Sequence, residues 1–154
     1  MENLPKIRIK RGETIGNELF FRFPDLSQNE KTYLEADSAV GATSLTANGI
    51  NFASGQYVII GNPGDEKCEI VLTTSATATT IGCGATSFAH SRGTVVRFIP
   101  FNQITISSSD DGTTYAALET VAIRSDAPET YYRHSAGTAT TYYKYQFYNS
   151  TDDT

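Results

Sequence analysis

Thr140-Thr-Tyr-Tyr-Lys-Tyr-Gln-Phe-Tyr148 is the stretch that decides the fold class. Side chains alternate across a strand with period two, which gathers Tyr143, Tyr145 and Phe147 on one face and Tyr142, Lys144, Gln146 and Tyr148 on the other. A helical period of 3.6 would scatter the same rings around a cylinder. One face therefore reads as core and the other as amphipathic surface. The same alternation predicts strands over 103–107, 115–123 and 130–134, separated by turn signals at Ser109-Asp110-Asp111-Gly112, Asp126-Ala127-Pro128 and Ala136-Gly137.

Composition extends this reading to the whole chain of 154 residues. Twelve Ile, six Val and 17 aromatic residues stand against seven Leu and one Met, a choice of apolar side chains that suits a pleated sheet better than a helix. With 39% apolar and 19% charged residues, the sequence is too apolar for a disordered chain. Its longest apolar run, residues 57–60, falls far short of the roughly 20 residues that span a bilayer, so no membrane partner is expected. Residues 1–11 carry Lys6, Arg8, Lys10 and Arg11 with no apolar segment after them, which does not read as a signal peptide and leads to an expectation of cytoplasmic synthesis. The net charge of −5 disfavours nucleic acid as a partner.

Charge is uneven. Residues 1–36 hold six basic and six acidic groups, 37–100 three and four, and 101–154 three and seven, which suggests separate modules. Residues 1–36 contain little apolar material for a core of their own and read as an extended arm, with Ile7 and Ile9 on one strand and Leu19, Phe21 and Phe23 on a second that Pro24 ends. The alternating Lys6, Arg8 and Lys10 mark either a protected sheet edge or an arm that docks on a neighbouring subunit. Between 37 and 100, turn signals at Asn48-Gly49, Ser54-Gly55, Asn62-Pro63-Gly64, Gly82 to Gly84 and Arg92-Gly93 delimit strands near 43–47, 56–61, 66–74, 77–83 and 94–99, a small barrel or sandwich. Centring the hairpin on Ser75-Ala76 opposes Ile70 to Ile81 and Cys68 to Cys83. A disulfide fits that geometry, but two cysteines in a cytoplasmic chain are expected as reduced core residues.

Further residues carry a resemblance. Ile104-Thr-Ile-Ser-Ser-Ser-Asp-Asp-Gly-Thr-Thr-Tyr115, then Thr130-Tyr131, then Tyr142-Tyr-Lys-Tyr-Gln-Phe-Tyr-Asn149 resemble strands C, C′, E and F of a fibronectin type III-like module. Gly61-Asn-Pro-Gly-Asp-Glu-Lys-Cys-Glu-Ile-Val71 and Phe88-Ala-His-Ser-Arg-Gly-Thr-Val95 resemble small β-modules of tailed-bacteriophage virion proteins. The expected fold is thus all-β, a small β-barrel or sandwich module over 37–100 followed by a partial fibronectin type III or Ig-like β-sandwich over 101–154. Strand G has no counterpart after Asn149, and no A and B strands are obvious before Phe101, so the missing neighbours are expected from 37–100, from another subunit, or from a longer protein of which this chain is a portion.

The search for chemistry yields little. Only His90 and His134 are present, with no Gly-x-Ser-x-Gly, and Cys68 is expected to face a core where a thiol is inert. No Cys-x-x-Cys or His-x-x-x-His spacing suggests zinc. Asp110-Asp111-Gly112 reads as a hairpin turn before it reads as a calcium loop, and Asp65-Glu66 point to opposite faces of a strand. Gly61 to Gly64 lacks the Gly-Lys-Ser/Thr ending of a phosphate loop. No catalytic residue, cofactor or metal is expected.

The resemblance implies a structural virion subunit, in a tail, neck or capsid-decoration position, assembled in the host bacterial cytoplasm and joined to other virion subunits or to its own copies. Ile7, Ile9, Phe21, Phe23, Tyr142 and Tyr148 are the interface candidates. The alternative is a carbohydrate-binding or receptor-recognition module in which Tyr142, Lys144 and Tyr148 meet a host-surface glycan.

Overall fold

The computed structural model describes residues 7–11 and 16–154. The described chain is all-β, with twelve strands and no helix: β1 (Ile7–Arg11), β2 (Asn17–Arg22), β3 (Lys31–Tyr33), β4 (Ser44–Thr46), β5 (Tyr57–Ile60), β6 (Glu69–Ala76), β7 (Thr80–Cys83), β8 (Val95–Ile99), β9 (Gln103–Ser109), β10 (Ala116–Ala122), β11 (Glu129–His134) and β12 (Tyr142–Tyr148). These fall into two compact units. One comprises the described residues of Met1–Pro24 with Phe101–Arg124 and Pro128–Thr154; the other comprises Asp25–Pro100 with Ser125–Ala127.

The first unit is a sandwich of two three-stranded antiparallel sheets, β1-β2-β11 and β10-β9-β12. Alternation on β2 turns Leu19 and Phe21 inward, where they meet Ile104 and Ile106 of β9, and Ile7, Leu118, Val121, Tyr132, Tyr143, Tyr145 and Phe147 close around them. Burying a side chain such as Leu19 or Phe21 contributes about 1.5–3 kcal/mol. The faces expected for β12 are those observed. Strands β1 and β2, which precede Phe101, thus share one sandwich with β9, β10, β11 and β12.

This corrects the reading of residues 1–36 as one arm and of 101–154 as a module that lacks its first strands. The first two strands, Ile7–Arg11 and Asn17–Arg22, come from the same chain, and residues 25–36, including β3, belong to the other unit. The physical reason is that Ile7, Leu19 and Phe21 are too few for a core of their own but supply the second wall of a core whose first wall is β9. Polar contacts fix the same placement. Asn17, 1% exposed, donates from Nδ2 to the Thr138 carbonyl at 2.9 Å and to the Tyr143 hydroxyl at 2.7 Å, and Arg11 donates to the carbonyls of Thr138 and Thr141 at 2.8 and 3.1 Å.

The second unit is a curled six-stranded antiparallel sheet in the order β3-β8-β5-β6-β7-β4. Leu34, Leu45, Phe52, Val58, Ile60, Val71, Ile81 and Val96 fill its concave side. The ends of the sheet approach one another, since the Glu35 N–H just after β3 donates to the Thr46 carbonyl on β4 at 2.8 Å. The expected hairpin register needs correcting: β6 pairs Ala76 with Ile81 and Thr73 with Cys83, so the turn is centred on Ala78-Thr79 and Cys68 does not oppose Cys83. A bulge between Thr73 and Ser75 shifts the register, and glycine opposite it leaves room for the side-chain oxygens of Ser75 and Thr74, which a Cβ on Gly82 would displace. Both cysteines are free and buried, as expected for reduced core residues.

Candidate functional site

The groups with the most chemical potential gather at the start of β6. Period-two alternation turns Glu69 to the same side as Val71, so its carboxylate is carried out of water and must find donors. It finds three: the Ser87 N–H at 2.8 Å, the Phe88 N–H at 3.1 Å and His90 Nε2 at 2.8 Å. The imidazole is placed by a two-way bridge with Ser38, whose N–H donates to the His90 carbonyl at 2.8 Å and whose carbonyl accepts the His90 N–H at 3.0 Å. As an acceptor, Glu69 requires Nε2 to carry the proton. The arrangement ties the loop before His90 onto β6, and both side chains are nearly sealed, at 4% and 10% exposure.

Cys68 adjoins this pair without becoming a nucleophile. Burial, followed by the negative charges of Asp65, Glu69 and Asp126, pushes its thiol up to about 12, and Arg97 offsets this only in part. Only the thiolate attacks, so a thiol held there is inert. Cys83 is shifted in the same direction, first by burial and then by Glu69.

The Asp110-Asp111-Gly112 segment is a turn. Asp111 Oδ1 accepts from the Thr114 and Thr113 N–H groups at 2.7 and 2.8 Å and from the Ser109 hydroxyl at 2.8 Å, which holds its carboxyl well below the ordinary carboxylate range. Among the described residues no group of three or more His, Cys, Asp and Glu side chains is arranged to hold a metal ion. Nor is any helix among the described residues long and apolar enough to cross a membrane.

The interface candidates occupy different environments. Phe21 is 1% exposed inside the sandwich, which removes it as a contact residue of the folded chain, and Ile7 packs against the same core. Ile9 is half-buried. Phe23 is partly covered, its ring 6.4 Å from that of Phe101. Tyr148 is partly buried and its hydroxyl donates to Asp153, whereas Tyr142 is 53% exposed beside Gly112. Tyr142 and Tyr148 share a face with Lys144, but six residues of strand set them about 20 Å apart, too far for one sugar ring to span. Lys144 instead lies 4.0 Å above the ring of Tyr115.

Another contact surface emerges on the outward side of β1-β2-β11. Register aligns Arg8, Phe20 and Tyr131 in one row and Lys10, Glu18 and Arg133 in the next. The Arg8 guanidinium carbon lies 3.9 Å from the centre of the Phe20 ring, and that ring is 5.3 Å from Tyr131. Arg8 pairs with Glu129 at 3.0 Å, Lys10 with Glu18 at 3.6 Å, and the Tyr131 hydroxyl donates to Glu18 at 2.9 Å, a bond that raises its pKa. Arg8 and Lys10 are 59% and 68% exposed, and Tyr131 is 48% exposed. Phe20 is marked in the sequence only by the outward phase of the alternation that turns Leu19 and Phe21 inward. No family model, curated protein sequence or solved structure matches the chain.

Proposed function

We propose that the chain is a structural subunit of a tailed-bacteriophage virion, a tail, neck or capsid-surface component assembled in the host bacterial cytoplasm, and that it acts through protein–protein contacts. The observation that carries this reading is the Arg8–Phe20–Tyr131 row on the outer face of β1-β2-β11. Tyr and Arg are the residue types that dominate binding energy at interfaces, and rings and cations already stacked on one another lose little freedom when a partner arrives. The interspersed Glu18 and Glu129 give the face a mixed charge pattern that selects a partner of complementary pattern. The partner is a neighbouring virion subunit, a second copy of this chain included.

Supporting this reading, the most reactive groups are turned inward: Glu69 and His90 fasten a loop, and the Cys68 thiol stays protonated. The assignment to a phage rests on the resemblance carried by residues 61–71 and 88–95, together with that of 104–149. Cross-linking mass spectrometry on a mixture of isotopically light and heavy full-length chains tests it. Cross-links from Lys10 that join light to heavy copies are expected; their absence at every concentration, together with no capture of any purified virion subunit, overturns the reading.

A further inference from the structure

A groove on the curled-sheet unit has the chemistry of a ligand site. Two adjoining hollows of about 420 and 330 Å³ share Gly61, Asp65 and Thr94 in their walls. Their origin lies in the sheet register. Tyr33 stands opposite Val95, the Gly61 N–H donates to the Val95 carbonyl at 2.8 Å, and Cys68 lies on the far side of Gly61. That row would be continuous if position 61 carried a side chain. Gly61 holds φ at +94°, a conformation that favours glycine, so the row has a gap and the gap is the floor of the groove.

The walls of the smaller hollow combine an aromatic ring with hydrogen-bonding groups of both polarities. Tyr33, on the end strand β3, is 50% exposed. Arg97 donates from Nη1 to Asn62 Oδ1 at 3.2 Å, which orients both side chains and leaves the Asn62 amide N–H groups available, while its shielded Nε finds no acceptor. The Thr94 hydroxyl donates to the Ser91 carbonyl at 2.7 Å and so presents lone pairs. Asp65 lines both hollows and brings a carboxylate.

From this set we infer that the groove between Tyr33 and Arg97 binds a neutral saccharide ring, with the sugar's C–H face on Tyr33 and its hydroxyls shared among Asn62, Asp65 and Arg97. A hydroxyl both donates and accepts, which matches a wall holding one carboxylate, one guanidinium and one amide. The charges of Asp65 and Arg97 offset each other, so neither an anion nor a cation finds a site of matching sign. A polar groove of this size with a single ring at its rim suits a small ring-shaped ligand. This site is independent of the contact face and of the phage reading, since none of its residues lies on β1, β2 or β11.

The test is a ¹H–¹⁵N NMR titration of the full chain with glucose, galactose, N-acetylglucosamine and rhamnose in turn, up to concentrations on the order of 10 mM, the range that reads weak single-ring binding. At least one sugar is expected to shift the amides of Gly61, Asn62, Gly93 and Thr94. Tyr33→Ala should weaken binding about tenfold, the loss of one ring stack, whereas Tyr33→Phe should keep it. Unshifted amides elsewhere in each variant report that the fold is intact. The inference is overturned if no sugar shifts these amides, if Tyr33→Ala binds as well as the parent, or if inorganic phosphate or adenosine occupies the groove more tightly than every sugar.

Discussion

Replacing Leu19 with alanine separates an integral N-terminal hairpin from a detachable arm. Leu19 is at 0% exposure on β2, between Ile9 of β1 and Tyr132 of β11, and packs with Phe21, Ile104 and Ile106. Truncating a fully buried leucine removes its transfer energy and leaves a hole, which costs about 2–5 kcal/mol, and the walls here include β-strands on both sides that cannot easily collapse into the gap. Each kcal/mol moves the unfolding midpoint of a small domain by roughly 4–8 °C, so a fall of roughly 8–40 °C is expected for the sandwich unit. Thermal unfolding followed by near-ultraviolet circular dichroism, which is sensitive to the packed tyrosines, measures it, and hydrogen exchange at the Ile104 and Ile106 amides assigns the loss to this core. A change below about 0.5 kcal/mol, the ordinary effect of a surface substitution, would refute the reasoning, because residues 17–22 would then contribute nothing to the sandwich.

Other outcomes follow from the structure. Glu69→Ala leaves the Ser87 and Phe88 N–H groups and His90 Nε2 without their acceptor in a buried site, and a loss of about 3 kcal/mol in urea unfolding is expected. Gly137→Ala places a methyl group on the Tyr143 hydroxyl, the Asn17 amide and His134 Nδ1; a destabilisation of about 1–3 kcal/mol by thermal unfolding is expected. For Cys68, with its thiol near 12 in the fold, about one molecule in 10,000 is thiolate at pH 8 against about one in four for an ordinary thiol, so native alkylation by iodoacetamide should run at least 1,000-fold slower than in urea. The sign for stability follows: the folded chain holds this proton more tightly than the unfolded one, so the contribution of Cys68 is complete below about pH 8.5 and is lost as pH rises toward 12. Urea midpoints between pH 7 and 11 should therefore fall, not rise, and Cys68→Ser should flatten part of that fall.

Local alternation made the strands and the faces of β12 legible, because inward Tyr143, Tyr145 and Phe147 leave a period-two mark that no neighbour is needed to read. Pairing between distant segments left no such mark. Nothing in Asn17–Arg22 indicates that its partner is Glu129–His134, more than 100 residues away, and β3 is three residues long with no pattern to show. The hairpin register failed on a bulge whose only trace is Gly82. The Glu69–His90 contact could have been found: Glu69 shares the inward face of Val71, a buried carboxylate demands a donor, and the chain offers only two histidines. The outward Phe20 required only that the pattern be followed through to the solvent side.

Sedimentation velocity on the parent chain beside a Phe20→Ser, Tyr131→Ser double variant tests the contact reading most directly. Both changes lie on the outer face, so the sandwich core is untouched. The parent chain is expected to sediment as a concentration-dependent oligomer and the variant as a single small species. A parent chain that stays monomeric across the range and captures no purified virion subunit, or a variant that assembles as the parent does, would contradict the account.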